Sequence, residues 1–363
     1  MVPLADCDGC DALALRLVRE GVAPVVAAGW AARRADGLWV LSAGGAKDAY
    51  FDLASLTKPM TSLAVARESL QKKTLGALLP AARGTPSEGS TLELLLAHRA
   101  GLEPNLPLFA PLAEGRPIDV IEALEQAARA RRPDCRGAMA VEGFAPLYSD
   151  LGYVLVGRAL AEHLKARDAG EAIERSIVAP LGLAEALGTA RALEALGQRT
   201  RFMDRVVATE VVPWRGGEVR GRVHDENAFA LTGAGGSGHA GMFGTIGAVL
   251  TFGVAALDAI ERGRGALGTD DDLDWMVRPR QGGTLRAGFD GKTEGGASMA
   301  GTRCGARTFG HLGFTGTSLW IDPDAEAVTV LLTNRVHPTR ENIAIRAARP
   351  LAHDALFALA LGA

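Results

Sequence analysis

Strand patterns stand at both ends of this chain and helical patterns fill the middle, an order that constrains the fold more than any single residue does. Near the start, Val25 to Trp30 and Leu38 to Leu41 read as strands, with the turn signal Ala35-Asp36-Gly37 between them. Near the end, Phe309 to Trp320 and Ala327 to Thr333 read as paired strands that turn at Asp322-Pro323-Asp324. Strands at both ends with helices between them imply one sheet built from the two termini, with the helices as an insertion. The expected class is α/β (α+β): a mixed domain from residues 1–62 and 285–363, and a mainly helical domain from residues 63–284. The site is then expected in the cleft between them.

The helical patterns run in order. Asp11 to Val18 is followed by a helix after Ser55 that keeps Met60, Leu63, Ala64, Ala66 and Leu70 at helical spacing. Thr91 caps Leu92 to His98, which Gly101 closes. Val120 to Arg132, Asp150 to Ala166 and Gly170 to Val178 carry apolar faces, and Pro180-Leu181-Gly182 ends that series. Glu210 to Gly244 is rich in glycine and reads as irregular, Ile246 to Ile260 as a helix, and Glu341 to Leu361 as the closing helix.

The chemistry begins at Phe51-Asp52-Leu53-Ala54-Ser55-Leu56-Thr57-Lys58-Pro59-Met60, where a short apolar segment runs into Ser-x-x-Lys at the start of a helix. Residues three apart share a helix face, so the Lys58 amine can reach the Ser55 hydroxyl. A serine needs a neighbouring base, and a lysine in a dry pocket is one, because burial disfavours its charged form. The helix start adds backbone N–H groups and a dipole that favour developing negative charge. Pro59 fits a first helical turn. Alone, the motif reads as an ordinary capped helix with a solvated lysine.

Two further stretches change that balance. Tyr148-Ser149-Asp150 puts a tyrosine just before a helix, where it can pass a proton to a leaving group if positive charge steadies its phenolate. Thr308 to Trp320 carries His311 on a strand rich in glycine, against whose edge a ligand can lie. His311 suits binding a substrate carboxylate or tuning Tyr148. By themselves these are a packing tyrosine and a structural histidine.

Together, Ser55-x-x-Lys58, Tyr148-Ser149-Asp150 and His311-Leu312-Gly313 resemble the penicillin-recognising serine hydrolases, closest to the branch of class C β-lactamases, family VIII carboxylesterases and D-aminopeptidase-like enzymes. The resemblance runs from about Val25 to the closing helix. It takes in Leu94 to Leu102, Val223-His224-Asp225-Glu226-Asn227-Ala228 and Gly238-His239-Ala240-Gly241-Met242-Phe243, the last two looking like a subgroup's loop beside the active site. It implies a β-lactamase/transpeptidase-like fold, an antiparallel sheet flanked by terminal helices with an inserted helical domain. It also implies an acyl-enzyme on Ser55, acid–base work shared by Lys58 and Tyr148, and an oxyanion hole from the N–H groups of Ser55 and Phe314. Asp150, His311 and Gly313 would touch substrate, with His311 where a lysine often stands. Asp150 replaces a common asparagine and Leu312 a hydroxyl residue, departures that point away from β-lactams and toward simple esters or amides.

Other patterns are set aside. Gly233-x-Gly235-x-x-Gly238 lacks the strand-turn-helix of a dinucleotide site, and Gly235-Gly236-Ser237-Gly238-His239 misses the nucleophile elbow by its last residue. Lys292-Thr293-Glu294 lacks the glycine of a third motif, and Asp270-Asp271-Asp272 reads as a solvated loop. His224, Asp225 and His239 give no tetrahedral set, and Cys7 and Cys10 have no second pair of ligands, so neither a metal nor any cofactor is expected. A net charge of −3 gives no basic footprint for nucleic acid. No apolar run spans a membrane and no secretory signal is visible, so the expected compartment is the cytoplasm. The expected function is an esterase or amide hydrolase on a small ester, amide or lactam. The runner-up is a D,D-carboxypeptidase or β-lactamase on peptidoglycan-like compounds, and the contrasting class is a non-catalytic relative that binds a ligand in the same cleft.

Overall fold

Alternation along the strands decides which residues meet across the sheet. The computed structural model describes residues 2–135, 137, 140–293, 295 and 298–362. Met1 and Glu294, the latter part of the Lys292-Thr293-Glu294 near-match, lie outside the described residues. The strands are β1 (Leu4–Asp6), β2 (Val26–Arg33), β3 (Trp39–Gly45), β4 (Phe51–Asp52), β5 (Leu187–Thr189), β6 (Val211–Val212), β7 (Gly217–Glu218), β8 (Met242–Gly244), β9 (Asp290–Gly291), β10 (Phe309–Leu312), β11 (Ser318–Asp322) and β12 (Ala327–Thr333). Seven of them form one sheet in the order β1-β3-β2-β12-β11-β10-β9. The expected junction of the two chain ends is the antiparallel pair β2–β12, with Ala31 opposite Val328 and Ala27 opposite Leu332.

Both faces of this sheet are covered, so its central strands are apolar at successive positions instead of alternating with polar ones. Val328, Val330 and Leu332 point to the face covered by the helix Ile246–Arg262, while Ala327 and Leu331 point to the core shared with the helices Asp8–Arg19 and Ile345–Leu361. On that second face the buried His353 ring joins the strands: its Nε2 meets Ser318 Oγ at 2.7 Å and its Nδ1 meets Thr329 Oγ1 at 2.9 Å. Burial, with Arg349 adding to it, pushes its pKa down to about 3. The unfolded chain therefore takes up a proton near pH 6.5 that the folded chain refuses until about pH 3, so folding stability falls as pH drops through that window. The expected contribution is about 1.4 kcal/mol per pH unit. Urea unfolding of His353→Gln should show a shallower loss between pH 6 and 4 than the parent, and equal slopes would remove His353 from the account.

Four sequence expectations change. Phe309 to Trp320 is two strands, β10 and β11, because Gly313–Thr317 turns the chain back, with Gly313 N–H bonded to Thr317 O and Gly316 at φ 110°. The closing helix starts at Ile345, not Glu341, after a turn fastened by Asn342, and continues through Pro350. The helix Thr57–Arg67 has no solvent face: Thr57, Lys58, Thr61 and Ser62 are buried with its apolar residues, which makes it a central helix instead of an amphipathic one. The stretch from Glu210 to Gly244 is also less irregular than its glycines suggest, since it holds β6, β7, the helix Glu226–Thr232 and β8.

Candidate active site

Ser55 is placed by a short strand and a strained turn. β4 pairs with β8 in a small sheet, β4-β8-β5, and Asp52 at its end is buried. The Asp52 carboxylate accepts the N–H of Ala54 at 2.8 Å and of His224 at 2.6 Å, which ties the nucleophile turn to the loop beyond it. Ala54 takes φ 47°, a left-handed backbone that a non-glycine residue adopts only where the surroundings enforce it. Ser55 follows in the single turn Ala54–Leu56, and the helix Thr57–Arg67 begins at once.

The turn after β10 is fixed to the same segment. Thr315 Oγ1 donates to Asp52 O at 2.8 Å and Thr317 Oγ1 to Leu53 O at 3.0 Å. Gly313 is needed for this approach, since a Cβ there would stand 1.9 Å from Thr317 Oγ1 and 2.7 Å from Leu53 O. Phe314 is thereby brought to the cavities that Ser55 lines.

Tyr148 arrives from a third direction. Ser149 N–H donates to His98 Nδ1 at 3.0 Å, Ser149 Oγ to Glu103 O at 2.6 Å, and Asp150 N–H to Pro104 O at 2.9 Å. The His98 ring stacks on Tyr148 with centroids 4.6 Å apart. The helix Asp150–Leu164 then packs on the loop carrying His239. Gly238 allows that contact, because a Cβ there would lie 2.1 Å from Tyr153 O.

The three elements bring the predicted residues together. Ser55 Oγ accepts from Lys58 Nζ at 2.8 Å and from Tyr148 OH at 3.1 Å. Lys58 Nζ also lies 2.7 Å from Asp150 Oδ1 and 4.9 Å from the Tyr148 ring centre. The ion pair reverses the expectation for Lys58. Burial pulls the amine down, but the Asp150 carboxylate, with Tyr148 behind it, outweighs burial and holds the amine above its ordinary value, as an ammonium. Asp150 is held below the ordinary carboxylate range, burial being overcome by Lys58 and then His239. Burial raises the Tyr148 phenol above its ordinary value, opposed by Lys58.

His311 does line the cavity, its ring 6.1 Å from that of Tyr148, but not as a cation. Burial, then the Lys58 charge, pushes it down to about 3, and its Nδ1–H is donated to Leu312 O at 2.8 Å. With Nδ1–H given to Leu312, the neutral ring keeps Nε2 as an acceptor and brings no charge to a substrate carboxylate. His98 is neutral for the same causes, also at about 3.

Ser55 stands where two cavities meet. The larger, about 410 Å³, contains Tyr148, His311 and three arginines, Arg335, Arg346 and Arg349. The smaller, about 240 Å³, shares Ser55, Asp150 and Phe314 and adds Asn105, His224, Asp225, Glu226 and Arg340. His224, Asp225 and His239 do not converge: His224 Nε2 meets Glu210 Oε2 at 2.9 Å and His239 Nε2 meets Asp225 Oδ1 at 2.8 Å. Among the described residues no cluster of three such side chains could hold a metal. The arginines and Asn105 were missed from the sequence. The available signal was Arg346 and Arg349, three apart on one helix, although nothing local says that this face meets a serine more than 290 residues earlier.

The sheet with helices on both faces and the cluster of half-buried Ser55 and Tyr148 on the buried Lys58 define a serine-hydrolase scaffold. The chain belongs to the beta-lactamase family, whose model matches residues 15–353. It is 30% identical over 208 residues to an Escherichia coli (strain K12) protein named "Putative D-alanyl-D-alanine carboxypeptidase", a match covering 54% of this chain and 46% of that one. The match thus spans about half the length of that relative. Among solved structures it resembles a class C beta-lactamase from Rhodobacter sphaeroides, with TM-score 0.66 and 17% identity over 98% of this chain and 100% of the other. It also resembles EstCE1, a hydrolase with promiscuous acyltransferase activity, with TM-score 0.65 and 21% identity over 95% and 97%. At these identities the likeness is one of fold. Among the described residues no helix is long and apolar enough to cross a membrane.

Proposed function

We propose that this chain is a serine hydrolase that forms an acyl-enzyme on Ser55 and acts on small esters or amides. The supporting observation is the pair of donors on one hydroxyl: Ser55 Oγ receives both Lys58 Nζ and Tyr148 OH, at the junction of two cavities. Ser55 attacks the carbonyl, and the N–H groups of Ser55 and Phe314 receive the oxyanion. The Lys58 ammonium lowers the cost of an alkoxide at Ser55 and of a phenolate at Tyr148. Tyr148 rests as a phenol. In the fraction of molecules where it has given up its proton, the phenolate takes the serine proton and passes it to the leaving group; water then releases the acyl group by the reverse proton path.

Intact mass after incubation with p-nitrophenyl esters, a fluorophosphonate and penicillin G tests this reading. An adduct on the peptide containing Ser55, with ester turnover, is the expected result. No adduct with any probe on a folded protein would leave only a ligand-binding relative. A D,D-carboxypeptidase or β-lactamase acting on peptidoglycan-like compounds is the second reading, favoured by the name of the 30% relatives, and rapid turnover of penicillin G would promote it.

Tyr148→Phe keeps the ring on His98 and removes the proton carrier. Its kcat is expected to fall by about 10²- to 10⁴-fold, while Ser55 still takes up fluorophosphonate slowly. An unchanged kcat would take Tyr148 out of the proton path.

A further inference from the structure

Cys7 and Cys10 play no part at Ser55, since neither lines either cavity there. They stand where β1 runs into the helix Asp8–Arg19, with Cys7 as its N-cap and Cys10 in its first turn. Asp11 N–H reaches Cys7 O at 2.9 Å, so the helical turn already closes on Cys7. Cys7 Sγ accepts the N–H of Cys10 at 3.3 Å, and the Cys10 thiol meets the same sulfur. One turn of helix sets residues three apart at about 5 Å between Cα atoms, inside the range of about 4.4–6.8 Å that a disulfide spans. The two sulfurs can therefore bond by side-chain rotation alone. A Cys-x-x-Cys at the start of a helix is also where reactive dithiols are found.

Exposure assigns the two roles. Cys7 is half-buried, while Cys10 is 0% exposed, in the core that also holds Leu356 and Phe357 of the closing helix. Burial, then the adjoining Cys7 sulfur, pushes the Cys10 thiol well above its ordinary value, so it does not attack first. Nor can so buried a sulfur reach out to a metal shared with a second molecule. Cys7 is the sulfur that an outside reagent meets, and Cys10 the one that resolves. The rim around Cys7 is acidic, with Asp6, Asp8 and Asp11 all exposed. The base beside it, Lys47, is paired with Asp6, and Asp11 Oδ1 holds the Gly45 N–H at 2.7 Å. Such a rim repels an anionic reagent and gathers a cationic one. The other two cysteines are buried and engaged elsewhere: Cys135 Sγ accepts from Arg132 at 2.9 Å, and Cys304 gives its S–H to Ala300 O at 3.6 Å.

We propose that Cys7 and Cys10 are a redox pair, two thiols when reduced, that closes to a disulfide by exchange with a small neutral or cationic disulfide. Cys7, as thiolate, attacks one sulfur of that reagent, whose S–S bond breaks. A mixed disulfide forms and one thiolate is expelled. The Cys10 sulfur then attacks the Cys7 sulfur, the mixed disulfide breaks, and the second thiolate departs. The protons of the two cysteine thiols end on the two departing thiols, and two electrons pass from the cysteines to the reagent. An external thiol in excess reverses the sequence. The closed ring staples the first turn of the helix Asp8–Arg19, which packs on β2, β3 and the closing helix.

The test uses the whole chain, reduced and then freed of reductant, with cystamine, hydroxyethyl disulfide or oxidised glutathione. Alkylation of the unfolded protein and peptide masses follow. The expected result is a peptide holding Cys7 and Cys10 that is lighter by two hydrogens and carries no alkyl group, while Cys135 and Cys304 are alkylated. Cystamine should close the pair about tenfold or more faster than oxidised glutathione at low salt, and the ratio should shrink as salt screens the aspartates. Cys10→Ser should stop at a mixed disulfide on Cys7, and Cys7→Ser should leave Cys10 unreacted. A parent that halts at the mixed disulfide, or whose Cys7 and Cys10 are both alkylated after every reagent, overturns the redox pair. Equal rates for cystamine and oxidised glutathione overturn the selection of reagent by the acidic rim. Both readings come from the parent protein, so neither depends on the variants folding or on Ser55 being acylated.

Discussion

Ser55→Ala is expected to lower kcat/KM on p-nitrophenyl esters by about 10⁴-fold or more, since removing a nucleophile removes the covalent route outright. The fold should survive the change. Ser55 Oγ only accepts, from Lys58 and Tyr148, at a site open to two cavities, so water can replace it. The helix Thr57–Arg67 is held by its buried apolar residues and not by this hydroxyl. Thermal melting should therefore match the parent within a few degrees while ester turnover and the mass adduct disappear. Retained turnover on every ester that the parent hydrolyses would end the assignment of Ser55.

Asp150→Asn should act on stability and on the pH profile together. In the parent, Lys58 is fully buried and charged only because Asp150 lies 2.7 Å away. Removing one member of a buried ion pair costs about 3–5 kcal/mol when the other charge stays. Lys58 has an escape, because burial then acts unopposed and the amine gives up its proton. The signs follow from the two shifts. Lys58 is raised in the folded parent, so its contribution is present below the ordinary lysine value and lost as pH rises through its folded value. Asp150 is lowered, so its contribution is present above the ordinary carboxylate value and lost as pH falls through its folded value. The pair therefore supports the fold from about pH 4 to about pH 10. In the variant a lowered Lys58 makes the folded state weaker as pH falls, so the loss should be larger at pH 5 than at pH 9 in urea unfolding. The acid limb of kcat/KM should also move to lower pH, because a neutral Lys58 can accept the Ser55 proton directly. Equal stability at both pH values with an unmoved limb would show that Asp150 does not govern the charge of Lys58.

How much of this was legible varies by element. The meeting of the two chain ends was, because β2, β3, β11 and β12 carry strand patterns that cannot be stable as separate hairpins. So was the Ser55–Lys58 contact, since a separation of three residues on a helix sets it locally. The turn at Gly313–Thr317 was not, because one apolar, glycine-rich run reads as one strand until Thr315 and Thr317 find the carbonyls of Asp52 and Leu53.

The charge of Lys58 was read with the wrong sign for a similar reason. A sequence shows that a lysine is buried among apolar neighbours, but whether its partner is a carboxylate 92 positions away is a fact of packing. His311 shows the same limit, since its neutrality follows from burial and from the nearby Lys58. The sequence by itself determined the sheet from two ends and the Ser55–Lys58 contact, because periodicity and short-range spacing are local properties, whereas Tyr148, 93 residues further on, was marked only by the resemblance of the three motifs. Tertiary structure alone decided the protonation of those groups and the arginines in the larger cavity, because charge states and cavities arise from residues that only folding makes neighbours.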